Sequence, residues 1–247
     1  MLGVLLIVML GWTCGTLINY LADVLPTRHK LTRPFCLHCG EPFPLVEYLG
    51  WWRGCPHCHH RRAWRTWVVE STYIIASGWL WVYPPDRLGF VIGLVLLIYF
   101  GIVVVIDLEH RLILYSISLA GAVIGAVIGT WLHGWLATLL GGLFGFGLML
   151  LFYFLGTLFG RWMARRRGEA LEEEALGFGD VCLSGVLGLL LGWPGIILGL
   201  IVAIMLGAIV SLLYLLGMIL SRKYRLFAAI PYGPFLVAGT VLLLYFR

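Results

Sequence analysis

Eight apolar runs divide the chain, most of them near the ~20 residues that a helix needs to cross ~30 Å of hydrocarbon. They cover residues 2–22, 68–83, 88–106, 112–132, 135–159, 181–191, 196–220 and 234–246. Inside lipid a backbone polar group finds no water, and a helix satisfies those groups internally. The pattern predicts an all-α polytopic membrane protein with about eight transmembrane helices. Composition agrees, with 61% hydrophobic residues and only 12% charged among 247. A compact soluble fold of this size has too little interior to hide so much apolar surface. A disordered chain is excluded on the same ground. The first run has no basic region before it and no small-residue cleavage site, so it is read as a retained span rather than a removable signal.

The scarce charge is unevenly placed. Fifteen of the seventeen Lys and Arg residues fall in four polar stretches, 23–67, 107–111, 160–177 and 221–233. With eight crossings all four lie on one side, leaving Arg87 and Arg247 on the other. Basic residues mark the cytoplasmic face, so the polar stretches are expected in the cytoplasm and both chain ends outside it. The run Arg161–Arg167 reads as a topology signal at an anionic lipid surface. Residues 1–22 then form a first transmembrane helix, 23–67 a small cytoplasmic domain, and 68–247 the remaining membrane core. The net charge of +5 reports orientation, and no nucleic-acid partner is expected.

Residues 36–58 read Cys-Leu-His-Cys, fifteen further residues, then Cys-Pro-His-Cys. Two such knuckles supply four thiolates, the number and arrangement that tetrahedral Zn²⁺ takes at ~2.3 Å per Zn–S bond. Cys36, Cys39, Cys55 and Cys58 are therefore the expected ligands of a structural zinc with a closed shell. A reducing cytoplasm favours metal over disulfides, and a domain with so few apolar residues needs such a staple. Two redox-active cysteine pairs are the alternative.

Among twelve acids, Asp107 and Asp180 stand out because each abuts a long apolar run. The expected topology puts both at the cytoplasmic membrane edge. Ionisable groups near hydrocarbon are costly and point to function. Two carboxylates close together cannot both ionise cheaply, and such a pair activates water for peptide hydrolysis without a metal. Helix ends favour Asp180 as the ionised base and Asp107 as the acid. Gly177 and Gly179, on either side of Phe178, leave room for an extended substrate backbone. The plainer alternative is two interfacial aspartates, one an ordinary helix cap. A transporter carrying ions on buried acids fits less well, since both acids sit at one edge and no repeat is visible.

At these residues the chain resembles the prepilin peptidases, or type IV leader peptidases, of the Gly-x-Gly-Asp aspartic membrane protease class. The resemblance runs through Gly15–Asn19, Leu25–Pro26, the paired cysteines with Pro44–Glu47 between them, Trp67–Glu70, Asp107–Arg111, Leu176–Val181 and Ile230–Leu236. It implies cleavage of the basic leader of type IV prepilins or pseudopilins at the cytoplasmic face of the bacterial inner membrane, by Asp107 and Asp180. It also implies N-methylation of the new amino terminus by S-adenosylmethionine, with Glu70 and the tetracysteine domain linked to that activity. From its own position Glu70 is an anion facing the basic leader or a plain helix-start acid. The family pattern has Ile-Pro-Asp where this chain has Ile113–Leu114–Tyr115, and Lys where it has Cys182. No Gly-rich loop for S-adenosylmethionine stands out in residues 23–67. Pro231 and Pro234 suggest, through the resemblance, a rigid re-entrant turn beside the active site, and Gly141, Gly142, Gly145 and Gly147 suggest close helix packing.

Overall fold

The structure is a computed structural model that describes residues 2–28, 30–36, 38–42, 48, 55, 57–59, 64–167, 177–220 and 231–246. Among them are eight helices: α1 Leu2–Arg28, α2 Arg65–Val82, α3 Gly89–His110, α4 Tyr115–His133, α5 Trp135–Arg167, α6 Phe178–Leu191, α7 Gly195–Leu220 and α8 Gly233–Tyr245. The described residues hold one isolated β-bridge, Phe35 to Pro42, and no strand. Pro44–Glu47, Trp51, Trp52, the acids at 169 and 172–174, and the bases at 222, 223 and 225 lie outside the described residues.

Each apolar run became a helix, and the differences lie at the ends. α1 continues through Pro26 to Arg28. A proline removes one helical hydrogen bond, which is tolerable so close to a terminus, and the Thr27 hydroxyl donates to the Asp23 carbonyl at 2.9 Å. α3 carries on past its apolar run to His110. Asp107 therefore belongs to the last turn of a helix and not to a connecting loop. α1, α3, α4, α5 and α7 are long and apolar enough to cross a membrane.

The chain forms two compact units, Met1–Ile106 and Asp107–Arg247. In the first, α1 packs on α2 through glycine. A Cβ on Gly15 would stand 2.7 Å from the Cα of Glu70, so no larger residue fits between these backbones. The seam buries Thr16, Asn19, Asp23, Thr66, Glu70 and Ser77. The Asn19 amide donates to the Thr66 carbonyl at 3.2 Å, and the Tyr73 hydroxyl ties α2 to α3 at the Leu97 carbonyl, 2.5 Å away. Most buried polar groups in proteins are held by such hydrogen bonds.

In the second unit α6 is the core element. It packs against α4, α5, α7 and α8 and fully buries Val181, Leu183, Leu187 and Leu190. Glycines bring α5 close to it. A Cβ on Gly145 would meet the Ser184 carbonyl at 2.5 Å, while the Ser184 hydroxyl donates to the Gly145 carbonyl at 2.9 Å. Gly141 and Gly142 face α6 in the same way, whereas Gly147 faces open space and has no packing role. α7 and α8 meet at Gly199 and Gly239, where a Cβ on Gly239 would come 2.6 Å from the Gly199 carbonyl.

Candidate functional site

The two aspartates singled out by the sequence come together in the second unit. Asp107 stands in the last turn of α3 and is buried, 5% exposed. Asp180 is the third residue of α6, within its first turn, and is half-buried. The two are close enough to interact charge to charge. The ordinary helix-cap reading of Asp180 fails, because the residue at the cap position is Gly177. The Asp180 N–H already donates within the first turn, to the Gly177 carbonyl at 3.1 Å.

Gly177 and Gly179 have different surroundings. A Cβ on Gly179 would press on Ile113, 2.7 Å from its Cβ, so this glycine lets the start of α6 lie against the connection between α3 and α4. Gly177 is exposed, and among the described residues a Cβ there would meet the Asp180 carboxylate at 3.5 Å and the Gly179 nitrogen at 4.0 Å. Phe178 between them is 49% exposed. The approach to Asp180 is thus open while that to Asp107 is enclosed.

The motif around Pro231–Pro234 also reaches this site. It forms the beginning of a helix and not a re-entrant turn: Tyr232 is the cap, Gly233 the first helical residue and Pro234 the second. Proline suits that place, since its missing N–H would have had no helical partner. The Gly233 N–H donates to Asp107 Oδ2 at 3.1 Å. No residue pattern marks this contact, since 126 positions separate the partners. Only the resemblance brought the motif near the site.

The four cysteine thiols gather in the first unit, all within 4.8 Å of one another. Cys36 Sγ lies 3.7 Å from Cys58 Sγ, and Cys39 Sγ 3.6 Å from Cys55 Sγ. Four sulfurs at tetrahedral zinc distance stand about 3.8 Å apart, so the donor set fits a metal ion closely. Each knuckle is bent by its backbone. The Gly40 N–H bonds the Cys36 carbonyl and the His59 N–H bonds the Cys55 carbonyl, at 2.8 and 2.9 Å. Gly40 and His59 both take positive φ, at 78° and 54°. Glycine does so freely, while His59 is strained by about 1 kcal/mol or more. The backbone N–H groups of Cys58 and His57 draw the Cys55 thiol down to about 6, toward the thiolate a metal takes.

The cluster rests on the end of α1. Cys36 and Cys55 are buried with Tyr48 against Tyr20. The Tyr48 hydroxyl donates to Asp23 Oδ2 at 3.0 Å, and Arg65 forms an ion pair with Asp23 Oδ1. One carboxylate thus joins α1, the cysteine segment and the start of α2. The sequence offered no sign of this pairing, whose members lie 25 and 42 residues apart. Glu70 sits lower in the same α1–α2 seam, buried beside Gly15.

The sequence profile of the type IV leader peptidase family matches residues 94–212, a span that contains both aspartates. Curated relatives extend the likeness over most of the chain. The prepilin leader peptidase/N-methyltransferase of Aeromonas hydrophila is 27% identical over 232 residues, 90% of this chain and 75% of its own. That of Pectobacterium carotovorum subsp. carotovorum is 28% identical, over 87% of this chain and 75% of its own. That of Myxococcus xanthus is 28% identical, over 84% and 62%. No solved structure matches at a significant level. The resemblance read from the motifs is borne out.

Proposed function

We propose that this chain, a relative of the type IV leader peptidases, is an aspartic endopeptidase. It removes the basic leader of type IV prepilins or pseudopilins at the cytoplasmic face of the bacterial inner membrane. The single observation that carries this reading is the nearness of Asp107 and Asp180, two carboxylates from separate helices. The pair holds one proton between them. The ionised member takes a proton from water as its oxygen adds to the scissile carbonyl carbon, and the protonated member gives its proton to the carbonyl oxygen. On collapse the first acid protonates the departing amine and the second recovers its proton from the tetrahedral hydroxyl. The site returns to its starting state. Exposed Gly177 and Phe178 form the side from which the leader enters.

The four cysteines hold a structural Zn²⁺. With four thiolates the shell is closed, and the ion supplies folding free energy and no chemistry. The relatives' second activity we carry over as methylation of the new amino terminus, with S-adenosylmethionine supplying the methyl group. Glu70 is the candidate acid for it. The Asn19 Oδ1 in the same seam is buried without a hydrogen-bond partner and leaves an acceptor for a ligand.

Purified protein incubated with a prepilin should release a fragment of the leader's mass. With S-adenosylmethionine present, the mature pilin should gain the mass of one methyl group. An uncut prepilin, with zinc bound and helices intact, refutes the peptidase reading. Cleavage without added methyl refutes the second activity alone.

A further inference from the structure

The Gly233 N–H that reaches Asp107 is one of those a helix leaves without an internal acceptor at its start. It carries the positive end of the α8 dipole. Both partners are buried, so water does not compete for this bond. The fit admits nothing larger, since a Cβ on Gly233 would stand 2.5 Å from Asp107 Oδ2 and 3.1 Å from its Cγ. Gly233 has no positive φ. Glycine is therefore required here by the nearness of the carboxylate and not by the backbone angle.

Building on the peptidase reading, we infer that Gly233 is a positioning residue for Asp107. Its N–H holds Oδ2, leaves Oδ1 as the oxygen that exchanges a proton in the reaction, and favours the ionised carboxylate, against the helix-end expectation of Asp107 as the acid. The bond sets the rotamer of a side chain at the free end of α3 and holds one oxygen through the cycle. The titratable group that acts on Asp107 is Asp180 from α6, and Tyr232, just ahead of α8, acts in turn on Asp180. Glu109, His110 and Arg111 follow it on its own strand of chain and are exposed. Hydrogen bonding to a charged form stabilises that form, so weakening the bond makes Asp107 harder to ionise. The acidic limb of activity then moves to higher pH.

The test has two readouts, prepilin cleavage against pH and esterification of Asp107 by an epoxide, which reacts with ionised carboxylates and is read by peptide mass mapping. Gly233→Ala should slow cleavage about ten- to a hundredfold and raise the midpoint of both profiles by about one pH unit or more. Should the alanine variant not fold, the wild-type protein serves instead: the NMR shift of the Gly233 amide proton should follow the ionisation of Asp107, and an amide signal that does not move with pH overturns the inference. Gly239→Ala is the control for damage to α8 alone, since its Cβ would strike the Gly199 carbonyl. It should lower thermal stability and leave both midpoints in place. Unmoved midpoints in a folded Gly233 variant overturn the inference, as does an equal shift in Gly239→Ala. If the wild type cleaves no prepilin, the peptidase reading fails while the epoxide profile still reports on Gly233.

Discussion

Asp107 and Asp180 are set apart by their surroundings more than by their own chemistry. Each is an ordinary carboxylate beside a long apolar run, and in the peptidase proposed above the two share one proton. Removing either should therefore remove the reaction and not merely tune it. Asp107→Asn and Asp180→Asn should each lower prepilin cleavage by at least about a hundredfold, with helicity and zinc content unchanged. Substantial activity in either variant would rule out the pair. Asp23 behaves differently because it is half of a bonded network. Arg65→Met takes the Arg65 cation away from the buried Asp23 carboxylate, and breaking a buried ion pair costs about 3–5 kcal/mol. The thermal midpoint of the first unit should fall accordingly. Asp23→Asn with Arg65→Met, which removes both charges, should recover much of the loss. A double variant no more stable than the single one would show that the ion pair adds little.

At the scale of elements, the contacts are made by what glycine leaves out. Gly188 of α6 lies against the Gly141 backbone of α5 and could not carry a Cβ without moving one helix. Gly188→Ala should destabilise the second unit by about 1–3 kcal/mol, seen as a lower melting temperature, whereas Gly147→Ala, facing open space, should not. The cysteine segment is an element of another kind, held by its metal. Cys55→Ser should abolish stoichiometric zinc binding and make residues 30–60 sensitive to protease while α4 to α8 stay intact. Zinc retained at one equivalent would count against the four-thiol site. This division explains what was legible in the sequence. The helices could be read because lipid demands long apolar runs, and the cysteine ligands because zinc demands a fixed number at fixed spacing. Asp107 and Asp180 could be read because few charges border apolar runs. The Gly233–Asp107 bond and the Asp23–Arg65 pair could not, since they join residues far apart in sequence and leave no periodic trace. The helix ends at Arg28 and His110 were missed because charged residues form helices as readily as apolar ones and mark a change of solvent, not of structure.

For the whole molecule, helix length and the placing of basic residues decide how the helices lie in a bilayer. α6 has 14 residues and α8 has 13, lengths of about 21 and 20 Å at 1.5 Å per residue against ~30 Å of hydrocarbon. Neither spans a full bilayer as a straight rod. Both nonetheless begin at the aspartate site, α6 with Asp180 and α8 with Gly233. In the peptidase proposed above, short helices that start at that site would let the carboxylates lie below the membrane surface while water reached them from the polar side. The basic residues still call for an even number of crossings. If α6 stopped midway and returned, the basic stretch 221–233 would face away from the other three, against the charge rule. Fusion of alkaline phosphatase, active only outside the cytoplasm, should therefore give activity after Phe246 and none within residues 30–42. A green fluorescent protein fusion should report the opposite. Phosphatase activity lost after Phe246 and gained within 221–230 would mean an even count before that stretch in place of seven, and would place the start of α8 on the far side from the peptide to be cut.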